Sequence, residues 1–403
     1  MPRFWLGGYS TELGGIADGV SELTAGGVDD ALAGGSLRTG VLGVRAPSPS
    51  WIAAHPSLDV IYAALEGEGA VQAFRRVDAA RLEPIGRPVS VGEAVCHVAV
   101  SPDGRMIVAS CWGDGAVVSL PLSEHGRIGS AAHAEPAADP YSEKSMSATD
   151  ASNVTDLGRA AAALRAAVGA EFADFVPFGD DSSGDPSRVD PVVAASTIDT
   201  DSTTRFSRAH QAVFLPDGTV ATTDMGLDLV RFWRRSESRL VPGQQLVLPR
   251  GTGPRHMLLH PSGHLHVITE LSGEIFTLTR AADGTWHILS ATTLSRDRDD
   301  TDLAAEIALS HDASFLYGAL RGSNSIATLR VDGGGSRLEP VALVDSGVDW
   351  PRHHLIARDT VLVAGQRSNS IASLTLDART GIPGRVRHRA DAPSPTCILP
   401  ARV

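Results

Sequence analysis

The stretch GPRHMLLHPSGHLHVITELSG, from Gly253 to Gly273, holds two short apolar runs joined by a Pro-Ser-Gly turn. Apolar runs bounded by such turn residues read as paired strands. Arg255 and His256 open the first strand, and Glu270 follows the second directly. Charges at the ends of a buried hairpin cost free energy unless they are paired, solvated or used.

The hairpin recurs along the chain. Segments beginning SWIAAHPSLD at Ser50, HVAVSPDG at His97, HQAVFLPDG at His210, HMLLHPSG at His256, EIALSHDAS at Glu306 and HHLIARD at His353 share one plan. Each has a strand, a turn, a second strand, a polar kink and a third strand. The turns fall at Pro56, Pro102, Pro216, Pro261, His311 and near Arg358. Most intervals are about 45 to 50 residues, the length of a four-stranded propeller blade. A seventh unit is split between the termini, with SPTCILP near Ser394 as first strand and FWLGGYS from Phe4 as second. Joining them closes the ring and removes a free sheet edge. The expected fold is all-β: a seven-bladed propeller of four-stranded antiparallel blades, one domain over residues 1–403.

One interval, from Pro102 to Pro216, is far longer than a repeat. Residues 133–204 read as an insertion on a propeller face. Its TDLGRAAAALRAAVGAEFADF segment suits a helix opened by Thr155 or Asp156, followed by an acidic loop. A lid, an oligomer contact and a passive decoration all fit it.

A propeller turns each repeat column into a ring around its channel. The residue six before the turn reads Ser50, Cys96, His210, Arg255, Ala305, Arg352 and Ser394; the next reads Trp51, His97, Gln211, His256, Glu306, His353 and Pro395. The kink gives Glu66, Trp112, Asp224, Glu270, Arg321, Gln366 and Tyr9. These columns gather charges, imidazoles and aromatics while their neighbours stay apolar. Such residues also make structural pairs between blades, and that is the expectation for His97, His353, Glu306 and Asp224 taken singly. His260, His264 and His266 read as surface residues, and Asp103-Gly104 and Asp217-Gly218 as turn formers.

A net charge of -12 argues against nucleic acid or an anionic membrane as partner. Three cysteines without CxxC spacing indicate neither a disulfide framework nor a zinc site. No run approaches a membrane span, the start lacks a signal-peptide core, and a cytoplasmic location is expected. No GxSxG elbow or nucleotide-binding glycine loop stands in context. Neither a cofactor nor a metal is expected.

The strands RAHQAVFLPDG, GPRHMLLHPSG with TELSG, and RGSNSIA resemble the seven-bladed β-propeller lactonase family, which includes propeller-type 6-phosphogluconolactonases and the carboxy-cis,cis-muconate cyclase. The resemblance spans almost everything outside residues 133–204. It implies an active-site group of His210, Arg255, Glu270 and Arg321, which fall in the columns above. It departs from the family in the insertion before His210, in the SHDASFLY turn at His311 and in Thr269 before Glu270, where asparagine is common. The implied activity is hydrolysis of a small anionic or sugar-derived lactone, with Glu270 or His210 as base and the arginines on an anion. Arg352, His256, His97, Glu66 and Gln366 are the expected substrate-binding neighbours. A lactonizing cycloisomerase could use the same groups, and a non-catalytic propeller binding a ligand or protein at its channel face is the alternative of another class.

Overall fold

Alternation of apolar and polar residues along short strands dictates sheets with two faces, and each face must find another to cover it. The computed structural model describes residues 2–26, 33–142, 205–299 and 301–402. Among them are seven four-stranded antiparallel sheets. Blade one combines Arg3–Gly8, Gly19–Ala25 and Leu37–Arg45 with the carboxy-terminal strand Pro395–Pro400. Blades two to seven begin with Pro49–Ala54, Val95–Val100, Ala209–Phe214, Pro254–Leu259, Leu303–Leu309 and Pro351–Ala357.

These first strands are the innermost, and each touches the first strand of the next blade. Pro351–Ala357 touches the carboxy-terminal strand Pro395–Pro400 of blade one, which touches Pro49–Ala54 and so closes the ring. Between blades, facing sheets bury apolar side chains. One such layer holds Val230 and Leu246 of blade four with Val267 and Leu278 of blade five, and Phe232 stacks on Trp286 at 5.2 Å. Each buried aliphatic side chain contributes about 1.5–3 kcal/mol, so the walls of the channel are rigid.

Two sequence readings change. His266 is fully buried against Thr277 and His260 is buried against the Ala313 carbonyl, because both lie on the face of blade five that packs on its neighbour. The expected helix of residues 155–175 and its acidic loop lie outside the described residues. The described start of the expected insertion runs along the propeller. His133 ends the fourth strand of blade three, and Tyr141 donates to the Leu248 carbonyl at 2.7 Å. Asp139 pairs with Arg205 at 3.1 Å, which ties the two described ends of this connection together.

Candidate active site

The channel chemistry rests on three recurring backbone devices. In every blade the pairing register shifts near the start of the innermost strand, after its first residue in six blades and after its second, Ala304, in blade six. Such a bulge sets two consecutive residues against one partner. A regular strand would send them to opposite faces. Here both enter the channel: Arg255 meets Glu270 of its own blade, while His256 meets Trp51 of blade two.

The second device positions the kink. The amides of Tyr9, Glu66, Trp112, Met225, Glu270 and Gln366 donate to the carbonyls of Ser394, Ser48, Ala94, Arg208, Gly253 and Trp350, the residues just before each innermost strand. The third is the backbone of those residues: Ser48, Ala94, Gly253, Trp350 and Ser394 all have positive φ. In blade five this residue is Gly253, where a Cβ would come within 2.9 Å of Leu271. The glycine of GPRH takes this left-handed conformation without strain and leaves room for Leu271, at the turn that brings Arg255 and Glu270 together.

Around one side of the mouth the charges interlock. Glu270 Oε2 lies 2.9 Å from Arg255 Nε and 2.7 Å from an Arg321 amino group. The Arg255 contact is ionic, since its Nε–H does not point at an acceptor. Arg255 also donates to the Ala305 carbonyl, and Arg321 to those of Leu303 and Ala304, so both guanidinium groups are fixed from behind. All three residues are almost inaccessible. Burial pushes the Glu270 carboxyl up, but Arg321, Arg255 and Arg352 together hold it below its usual value. Burial pulls Arg321 down to about 10 despite its pairing with Glu270.

His210 is also buried. Burial first, then Arg255 and His256, hold its imidazole far below the usual value, so it is neutral at pH 7, and its Nδ1 has no hydrogen-bond partner. Further round the mouth, Arg352 donates to the Tyr9 hydroxyl at 2.6 Å and to Gln366 Oε1 at 3.4 Å. Tyr9 donates in turn to Glu66 Oε1 at 3.2 Å.

One residue further along the strands lies a second set. The Trp51 ring lies 4.6 Å from His97 and 5.3 Å from both His256 and His353, joining four blades across the channel. Glu306 approaches His256 Nδ1 at 3.1 Å and His353 Nε2 at 3.6 Å. The Ala212 amide donates to His97 Nδ1 at 3.5 Å, which leaves that nitrogen unprotonated. Burial depresses all three imidazoles, that of His353 to about 4. Among the described residues no group of three or more His, Cys, Asp or Glu side chains is arranged to hold a metal.

A family model for the seven-bladed β-propeller lactonases matches residues 3–148 and 175–400. The chain belongs to that family. Among solved structures, the periplasmic gluconolactonase PpgL of Pseudomonas aeruginosa superposes with a TM-score of 0.76 at 20% identity, covering 100% of this chain and 99% of that one. A proposed 6-phosphogluconolactonase of Bacteroides fragilis gives 0.73 at 17% identity, covering 100% and 98%. At such identities these likenesses speak for the fold. The uncharacterized protein YwcC of Lactococcus lactis is 28% identical over 200 residues, which is 48% of this chain and 59% of that protein. The chain thus spans little more than half the length of the curated relative it matches.

In this lactonase-family propeller the structure brings Glu270, Arg255 and Arg321 into one ion cluster, with His210 close enough to feel Arg255 and Arg352. Arg352, Glu66 and Gln366 stand together at the mouth, whereas His97 and His256 pack on Trp51. Strand pairing also corrects two column assignments. Met225, not Asp224, occupies the kink of blade four; Asp224 ends the strand and accepts from Arg208 N, Leu227 N and Ser207 Oγ. In the split blade the channel positions are Thr396 and Cys397, not Ser394 and Pro395. Tyr9 was visible only as a column member; the signal for its role was an aromatic hydroxyl in a ring of charges.

Proposed function

We propose that this protein hydrolyses a sugar-derived lactone at the charged mouth of its channel. The observation that carries this reading is the convergence of two guanidinium groups on one Glu270 oxygen, with a neutral, unpartnered imidazole nearby. Membership of a lactonase family and the likeness to a gluconolactonase support it.

Ester ring opening needs a water oxygen to bond to the carbonyl carbon, an acceptor for the water proton, and charge stabilisation at the carbonyl oxygen. Glu270, ionised throughout the neutral range, takes the proton. His210 nearby stays uncharged because burial depresses its imidazole, and its buried Nδ1 has no partner among the described residues. Arg255 and Arg321 stabilise the oxyanion, drawing part of their charge away from Glu270 as it forms. The ring C–O bond then breaks, and the leaving alkoxide receives the proton that Glu270 took.

The two arginines that make Glu270 a weak base in the free protein share their charge with the oxyanion as it forms beside them. Its basicity thus rises when it is needed. The test is to titrate the acid released from glucono-, 6-phosphoglucono- and muconolactone at pH 7. A rate above the spontaneous one on a sugar lactone supports the reading, and a rate no greater than spontaneous on all three removes it.

A further inference from the structure

Five innermost strands are entered through a residue with positive φ, and one of the five is unlike the rest. Ser48, Ala94, Gly253 and Ser394 are small, but blade seven places Trp350 there at φ 61°. A bulky side chain in the left-handed region is strained, and such strain persists where the surroundings impose it. Here the turn that follows Arg321 imposes it. Asn324 accepts from the Trp350 amide at 2.8 Å and donates to Asp349 at 3.0 Å. The Trp350 carbonyl in turn takes the Gln366 amide at 3.1 Å.

The ring so placed meets the arginine of the neighbouring blade. Trp350 is buried, and the Arg321 guanidinium carbon stands over its ring, 5.4 Å from the ring centre. A cation this close to an indole is attracted by the ring quadrupole. The Arg321 N–H groups are directed at Glu270 Oε2 and at the Leu303 and Ala304 carbonyls. Those bonds fix the guanidinium by its edge, and the indole meets it from a side they do not hold. The same ring carries Arg367 toward solvent, with its guanidinium carbon 3.6 Å from the ring centre.

Resting on the lactonase reading above, we propose that Trp350 is a positioning residue: its indole holds the Arg321 guanidinium on Glu270 and keeps water from that pair. It acts through Arg321 and not on the substrate. Without the ring Arg321 is hydrated and less constrained, its hold on Glu270 weakens, and the carboxyl becomes easier to protonate.

Trp350→Ser tests this, because Ser48 and Ser394 show that the same backbone accepts serine. Trp350→Gly, the counterpart of Gly253, replaces it if that protein does not fold. On whichever lactone the wild type opens fastest, Trp350→Ser should lower kcat by about 2- to 30-fold with little change in KM. The acid limb of kcat/KM should rise by about half a pH unit. Trp350→Phe, which keeps an aromatic face, should restore most of both. In an Arg321→Gln background Trp350→Ser should add nothing to either change. Additive effects, or a Trp350→Phe protein as impaired as Trp350→Ser, overturn the proposal and leave the reaction standing.

Denaturant unfolding gives a readout independent of turnover. The contact predicts that the effects of Trp350→Ser and Arg321→Gln on the unfolding constant are coupled by about 2- to 30-fold. Coupling in a protein that opens no lactone upholds the placement of Arg321 by Trp350 and removes only the reaction. Absence of coupling among folded variants overturns the proposal, whatever the lactone rates.

Discussion

Arg255 and His256 adjoin in sequence and enter the same channel, yet they join opposite environments. Arg255 belongs to a mouth of interlocked charges with Glu270 and Arg321. His256 belongs to a plug of neutral imidazoles around Trp51, anchored by Glu306. One backbone bulge separates the two. The difference shows how a repeat fold can place reactive charge on a rigid support. The plug fills the channel with rings that refuse protons, and the mouth above it keeps its carboxylate ionised through its arginines.

The largest effect that would break this contrast is acid loss of the plug. Burial holds His97, His210, His256, His353 and His354 below the ordinary imidazole value, with His353 and His354 at about 4. Between those values and about 6.5 the unfolded chain binds protons that the folded one refuses. Stability is therefore full above pH 6.5 and falls as the pH drops toward 4, by about 1.4 kcal/mol per pH unit for each such proton. Denaturant titrations at pH 7.5, 6, 5 and 4 should show that fall; a constant midpoint would mean the imidazoles are not buried neutral.

A somewhat smaller effect is expected when the plug is emptied. Trp51→Ala should cost about 3 kcal/mol, since the ring joins four blades and little can collapse into its place. A loss under 1 kcal/mol in urea unfolding would show that the channel centre carries no packing.

At the mouth, Arg321→Gln should act through Glu270. With one guanidinium gone, burial is less opposed and the carboxyl pKa rises. The acid limb of kcat/KM should move up by about one pH unit, and a limb that stays in place would contradict the pairing. The least effect is expected at the rim. Arg367 is exposed and stacks on Trp350 at 3.6 Å. Arg367→Ser should lower kcat/KM by about twofold at low salt and not at all at high salt.

The blades were legible in the sequence because strand alternation and turn spacing are local signals repeated six times. So were the columns, since Arg255, Glu270 and Arg321 interrupt otherwise apolar patterns. The bulge was not. A period-two pattern assigns adjacent residues to opposite faces, and although the columns place both Arg255 and His256 at the channel, nothing in them announces the bulge that turns both inward. The same limit explains the two column slips. Asp224 precedes Met225 by one residue, and a carboxylate looks more like a site residue than a thioether does. Ser394 precedes Thr396 by two residues in a strand whose partner lies at the other end of the chain.

The most direct test of the account is the rate of sugar-lactone opening by Glu270→Gln beside the wild type at pH 7, with folding verified by the unfolding midpoint. Loss of a general base predicts a fall in kcat of about 10²- to 10⁴-fold. A folded Glu270→Gln protein that opens the lactone at the wild-type rate would contradict it.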